Sequence, residues 1–415
     1  MTNKKRISVI EMLIFCGVFL APFNSLTLNV AYITISDIFF ILLFPVLFGQ
    51  LSLNSGRLIS DSSSRLKLIQ LCWFFGMIFL SIGYLLSNLF NNTTSFMDTI
   101  TTLAQYSFVF VYLPIVFLFI DKNNYYKLLK IYIFGVVAVI LLGFFIESFS
   151  SPLYTTLINR GIFIGRNRFG SFLGSNGLTK TIAMCIPLVF FLLNKNNLKN
   201  NELILIIISF LVAILKASSI GGTVACIIAF VLSYSQLKYS KSKRNLTIFS
   251  LIIVIIFLYL VYIGSINIEL FTERVLNGLF LGDLEEAGSF NLKVNLMSDA
   301  INTIVNNPII GIGIGGFTKL NKFNQSVHNS YLLIWGEGGI FAFLGLLIIV
   351  LSSVIFVLKK MNKANTGAVF ILIFLAIFSF NLLTGTHLYQ RFRIIPFILS
   401  LYSLTVPERY FGSLK

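Results

Sequence analysis

Histidine is the scarcest titratable residue in this chain, with two copies in 415 residues. His328 stands in Val327-His328-Asn329-Ser330-Tyr331-Leu332, just before a long apolar run, with Asn329 or Ser330 placed to cap a helix. A neutral imidazole at that place can accept a proton from an attacking hydroxyl, and nearby cations favour the neutral form. The plainer alternative is a solvent-exposed or interfacial histidine. His387, beside Thr386 and close to Arg391, is the second candidate. Glu337 lies two turns into the run that His328 precedes, where an ionisable group is expensive and is either paired or functional. An ion pair with an arginine is its simplest account, and a direct role is the alternative.

Two glycine-rich stretches accompany these residues. The first runs Arg166-Asn167-Arg168-Phe169-Gly170, then Gly174-Ser175-Asn176-Gly177, into another apolar run. Glycine permits tight or left-handed turns, serine and asparagine cap helix starts, and a helix N-terminus beside two arginines is an anion site. An ordinary glycine-rich turn capping a membrane helix is the competing reading. The second stretch, Pro308-Ile309-Ile310-Gly311-Ile312-Gly313-Ile314-Gly315, resembles a nucleotide loop only superficially. It lacks a following Lys-Ser/Thr and any βαβ setting, which excludes nucleotide binding. No Asp-x-Asp or His/Asp cluster suggests a divalent metal, and no cofactor is expected.

The elements that must position these residues are membrane helices. Hydrophobic residues make up 57% of the chain and charged residues 11%, against roughly 45–50% and about 25% in soluble domains. The apolar residues come in continuous runs long enough to cross a ~30 Å hydrocarbon core as helix. The predicted fold is all-α, a polytopic helical bundle forming one integral membrane domain over 1–415. About twelve spans fall near 8–24, 33–52, 67–90, 100–120, 128–147, 176–194, 203–217, 219–236, 246–264, 329–357, 366–384 and 392–407. The four cysteines all fall in apolar runs and read as small buried hydrophobes.

Lys and Arg placement gives the bundle a direction. With the N-terminus in the cytoplasm, twenty of the 31 basic residues fall on the inner side. They include Lys4, Lys5 and Arg6, the Lys238 to Arg244 group, and Lys359, Lys360 and Lys363. Both termini are then cytoplasmic. The net charge of +16 is mostly this topology signal, and nucleic acid is excluded as a partner. Two outer loops carry the signatures, 148–175 and the long loop 265–328 between spans 9 and 10.

Eleven cations remain on the outer side: Arg160, Arg166, Arg168, Lys180, Lys216, Arg274, Lys293, Lys319, Lys322, Arg391 and Arg393. Long loops translocate regardless of charge, which accounts for Arg274, Lys319 and Lys322. The others lie in a short loop or at span ends, where a charge needs a partner or a wet cavity. Outer carboxylates are few. An external anion, phosphate-bearing by the geometry Arg prefers, supplies the missing charge.

These residues resemble the polysaccharide polymerase and ligase superfamily that includes the O-antigen polymerases and O-antigen ligases. The matching parts are Pro308-x-x-Gly311-x-Gly313, the long outer loop, and His328-Asn329-x-Tyr331-Leu332 with Glu337 and Gly339 downstream. Arg168-x-Gly170 to Asn176 is similar to the family's first outer-loop signature. Strong similarity covers about 165–190 and 290–345. The chain departs where members carry Ser-Arg-Gly before the eighth span, reading Lys216-Ala217-Ser218-Ser219 there, and where Lys293 replaces an upstream arginine.

The resemblance implies glycosyl transfer at the outer face of a bacterial cytoplasmic membrane, metal-independent and inverting. The donor is a glycan on undecaprenyl diphosphate, and the acceptor is a second lipid-linked repeat unit or lipid A–core. A chain-length regulator is a further candidate partner beside the bilayer itself. His328 acts on the attacking hydroxyl, and Arg166, Arg168, Arg391, Arg393 and Arg160 hold the diphosphate. Glu337, Asn329, Lys216, Lys293 and His387 support them. A polymerase is favoured over a ligase. A flippase for the same lipid-linked substrate is the reading from another class, favoured by broken polar spans or two related halves, which the sequence does not display.

Overall fold

The computed structural model describes residues 9–28, 33–54, 64–91, 95–149, 151–164, 168–237, 269–281, 290–361, 367–385 and 388–406. The ninth expected span, 246–264, lies outside them, as do Arg166 and His387. The described chain is helical apart from a pair of two-residue antiparallel strands, Thr27–Leu28 and Ile33–Thr34. Among the described residues, six helices are long and apolar enough to cross a membrane: Leu66–Phe90, Phe96–Leu118, Lys122–Phe149, Ser175–Asn194, Asn200–Ala217 and Ser330–Lys360. Shorter apolar helices include Val9–Leu20, Ile220–Gln236 and Gly367–Leu383. The protein is therefore an all-α membrane protein.

Contacts divide the chain into two compact units. One comprises Met1–Ser60, Phe119–Gly282 and Val369–Phe374; the other comprises Asp61–Leu118, Asp283–Ala368 and Leu375–Lys415.

In the first unit, helices Tyr125–Phe149 and Asn200–Ala217 run parallel, tied by ion pairs at both ends. Lys130 meets Glu202 at 2.6 Å near their starts, and Lys216 meets Glu147 at 2.7 Å near their ends. Helices Ser175–Asn194 and Ile220–Gln236 are parallel too. Ser219 donates to Asn176 Oδ1 at 2.8 Å at one end, and the Phe190 and Phe230 rings meet edge to face toward the other. These alignments follow the alternation that the basic residues predict for spans five to eight.

In the second unit, helices Ser64–Phe90 and Ser330–Lys360 pack antiparallel along their length. Trp73 donates to Ser353 at 3.1 Å, and Ser87 donates to the Glu337 carbonyl at 2.7 Å. Small residues let the backbones approach between those points: a Cβ on Gly83 would sit 2.5 Å from the Gly338 carbonyl, and one on Gly345 would sit 2.4 Å from that of Gly76. Lipid gives apolar side chains little reason to desert it, so such close packing is what holds membrane helices together.

Three expectations are corrected. The span predicted at 33–52 is two helices, Ile35–Ile41 and Phe44–Asn54, separated at Leu42–Leu43. Pro45 sits in the first turn of the second, the place a helix tolerates proline. The last span is the 13-residue helix Arg391–Ser403, every residue of which is buried. At 1.5 Å per residue it extends only about 20 Å, so it is an enclosed helix rather than a lipid-facing crossing. Within the long loop 265–328 the described residues include helix at 269–281, Phe290–Asn306 and Gly316–Leu320.

Helix Ser330–Lys360 breaks at Gly339, which takes φ +68° and ψ −170°. The glycine-rich segment docks in that break. Ile340 N–H, which would serve the Gly336 carbonyl in a regular helix, donates to Ile309 instead, and Ile312 N–H takes over the Gly336 carbonyl at 2.9 Å. The exchange satisfies the groups the kink frees. Only glycine adopts the Gly339 conformation readily, and a Cβ there would lie 2.0 Å from the Ile309 carbonyl oxygen. Gly339→Ala is expected to lower the melting temperature in detergent sharply, the backbone strain alone costing about 1–3 kcal/mol. Gly221→Ala, in open space, serves as the control and leaves the melting temperature unchanged or slightly higher, as alanine in a helix should.

Candidate active site

His328 is exposed, between Val327, which is fully buried, and Asn329, which is nearly so. Asn329 is the N-cap of helix Ser330–Lys360, its side-chain oxygen accepting from the N–H groups of Tyr331 at 3.0 Å and Leu332 at 3.2 Å. The imidazole is thus carried on a fixed backbone while its ring faces outward. Val327 belongs to an apolar cluster with Leu296, Ala300, Ile312, Phe317 and Leu333. That cluster draws on helix Phe290–Asn306 and the glycine-rich segment, so the long loop anchors the residue before the histidine.

Ser330 donates to the carbonyl of Gly385 at 2.8 Å. Gly385 also lies under a guanidinium: a Cβ there would be 2.6 Å from one terminal nitrogen of Arg393. The cap that carries His328 and the arginine at the start of helix Arg391–Ser403 therefore share one glycine. Arg391 and Arg393 are both buried. Arg391 donates to the Tyr389 carbonyl at 2.9 Å, with its guanidinium 5.1 Å from the Phe108 ring centre. Two cations in the first turn of a helix oppose its macrodipole, and burial adds a desolvation cost.

Glu337 is buried without an arginine across from it. Its carboxylate accepts the Gly315 N–H at 2.9 Å, next to helix Gly316–Leu320, and Gly313 N–H donates to its backbone carbonyl at 2.9 Å. Ser87 accepts from the same Gly313 N–H at 2.6 Å. The expected ion pair is therefore replaced by backbone amides, the glycine-rich segment presenting its N–H groups inward to a carboxylate of its own chain. Glu337 acts as a buried latch on the segment that precedes His328. Lys293 is half-buried on helix Phe290–Asn306.

In the first unit, Arg168 is half-buried on the turn that leads to helix Ser175–Asn194. It donates to the Ser218 carbonyl at 3.4 Å, and the Ser175 hydroxyl faces its own carbonyl at 3.5 Å. Gly174, at φ +70°, precedes the helix, and no side chain caps it. Asn176 instead receives the Ser219 hydroxyl, and Ser219 caps helix Ile220–Gln236. Two helix N-termini thus open beside Arg168. Burial lowers the pKa of Arg168 from its ordinary value, and the charge of Arg274 lowers it further. Arg274 was set aside in the sequence as a long-loop residue; it belongs with Arg168. Lys216 proves internally paired, 2.7 Å from Glu147 and 5.0 Å from the Phe144 ring centre, so it does not offer an unused charge. Arg160 is exposed just past helix Ser151–Asn159. Beside this region an apolar groove of about 410 Å³ is lined by Ile186, Leu203, Phe210, Leu215, Phe230 and Phe271, among others.

Among the described residues no three His, Cys, Asp or Glu side chains gather in a group that could hold a metal ion. Cationic side chains and helix starts are the electrostatic resource that these sites present.

Apolar helices long enough to cross a membrane, buried cations and an exposed histidine beside a helix cap together describe an integral membrane protein. Residues 203–347 match the model of the O-antigen ligase family. The match takes in Lys216, Arg274, Lys293, His328, Asn329 and Glu337, while Arg160, Arg168, Arg391 and Arg393 lie outside it. No curated protein matches the chain.

Proposed function

We propose that the protein is a polysaccharide polymerase of the bacterial cytoplasmic membrane, joining undecaprenyl-diphosphate-linked repeat units on its outer face. The observation that carries this reading is the His328 cap in the second unit. An exposed imidazole stands on a rigid helix start, and Ser330 and Arg393 meet at Gly385 behind it. The acceptor hydroxyl oxygen attacks the anomeric carbon of the donor, and its proton passes to an imidazole nitrogen of His328. The bond from that carbon to the phosphate oxygen breaks, and its electron pair leaves with the diphosphate. Direct displacement inverts the anomeric centre. The proposal assigns substrate phosphate to cations of each unit taken by itself, Arg391 and Arg393 in the second and Arg168, with Arg166 and Arg160, in the first, since positioned cations stabilise leaving-group charge without further chemistry. Arg274 joins this set because its like charge acts on Arg168. The apolar groove suits a prenyl chain.

The family description favours a second reading, transfer of a finished glycan to lipid A–core. Deleting the gene and separating surface glycan by size distinguishes them. Loss of a polymerase leaves single repeat units attached to their final acceptor. Loss of a ligase leaves polymer on undecaprenyl diphosphate. Absence of both outside the membrane identifies a flippase and overturns the enzyme reading.

A further inference from the structure

Helix Phe290–Asn306 has three faces. Leu292, Leu296, Ala300 and Ile304 recur every four residues and turn inward; Leu296 and Ala300 pack with Leu333. Asn291, Asn295, Ser298, Asn302 and Asn306 form a second stripe, wholly polar and exposed. The third stripe, Val294, Met297, Ile301 and Val305, is apolar and also exposed, Val305 by 71%. At 100° per residue the third stripe spans about 80° and lies between the other two. A helix in water has no use for it, and a helix crossing a bilayer has no place for the asparagines.

We propose that this helix lies in the membrane–water interface, with the Val294, Met297, Ile301 and Val305 face in the acyl region and the asparagine face in water. Its depth supports the assignment. The helix packs over the opening turns of the membrane helix Ser330–Lys360: Leu333 is in its cluster, and Ile304 Cγ1 is 3.8 Å from where a Cβ on Gly336 would be. Beyond the helix in the chain, the apolar residues Ile309 and Leu320 are exposed as well. Trp335, in the opening turns of the membrane helix and of the residue type favoured at headgroup level, donates to the Pro308 carbonyl at 3.0 Å. Lys319 and Lys322, on the segment that joins the two helices, are exposed, as basic residues are that accompany interfacial helices and meet phospholipid phosphates. The occupant of the third face is therefore phospholipid, and the site that follows at His328 is held at the level of the headgroups. This placement rests on the membrane helices alone and is independent of the glycosyl-transfer reading.

Photocrosslinking in native membranes tests it. Benzoylphenylalanine in place of Ile301 is expected to give a phospholipid adduct, read by mass, several-fold above that from the same group in place of Asn302. Met297 and Ser298 form a second pair should the first protein not accumulate. A protein adduct at Ile301, whether with a second copy or another partner, overturns the proposal. So does equal lipid labelling at both members of a pair, or none at either. Because the readout is an adduct and not glycan, it can fail while the polymerase reading stands, and the reverse.

Discussion

His328→Ala should abolish glycan product while leaving the protein in the membrane at its normal level. His328 is exposed, so its removal opens no cavity. The neighbouring Asn329 does the structural work, holding two N–H groups of the first helical turn. Asn329→Ala should therefore cost about 1 kcal/mol of stability through the lost cap, an effect His328→Ala lacks. A positioned general base contributes about 10²–10⁴-fold to a rate, which in cells without the wild-type gene reduces surface glycan below detection. His328→Gln separates the two roles open to the ring. Glutamine can hydrogen-bond to the attacking hydroxyl but cannot take its proton, so residual product with glutamine points to orientation and no product points to base catalysis. Normal product from His328→Ala, with normal abundance by immunoblot, removes His328 from the mechanism.

What the sequence conveyed of this site differs from residue to residue for physical reasons. The cap was legible because a helix start is local: Asn329, one residue ahead of the apolar run, declares itself. The parallel and antiparallel alignments were legible because basic residues sort by side, a rule that acts on whole segments. Glu337 was recognised as costly, but its partner was not. Its carboxylate meets the backbone of Gly315, and backbone carries no residue identity from which to read a pairing. Arg274 was missed because a charge in a long loop has no period and no neighbour in sequence that points to Arg168. The broken span at Leu42–Leu43 was announced by Pro45, but the hydropathy of the surrounding run masked it. Lys216 was read as an outer cation in need of an anion, though Glu147, at the end of helix Tyr125–Phe149, proved to be its partner.

The same distinction separates two kinds of glycine-rich segment in one chain. Gly311 to Gly315 serves the fold, its N–H groups consumed by Glu337, Gly336 and Ser87. Gly170 to Gly174 ends in a helix that no side chain caps, with Arg168 beside it. Similar composition thus yields a closed latch in one place and an anion-favouring helix start in the other, and the difference lies in whether a carboxylate from the same chain already occupies it.

Arg168→Met is expected to lose activity by about 10²-fold or more, the effect of deleting one donor that acts on developing negative charge, and yet to leave the protein as stable as before or more so. Burial and the Arg274 charge both disfavour the Arg168 cation, and its hydrogen bond to Ser218 is long at 3.4 Å. A residue kept for the fold would show the opposite balance. Removing one partner of a structural ion pair, as Lys216→Met does to Glu147, should lower activity and melting temperature together. Arg168→Lys is informative because it restores charge without the planar fork; partial recovery means that charge matters, and none means that bidentate geometry is required. Melting temperature in detergent and glycan yield in cells, measured on the three variants, resolve the pattern. A fall in stability with Arg168→Met equal to that of Lys216→Met would assign Arg168 to the scaffold and withdraw it from the substrate. Stability held while activity is lost marks a charge that the folded protein tolerates because an anion arrives to meet it.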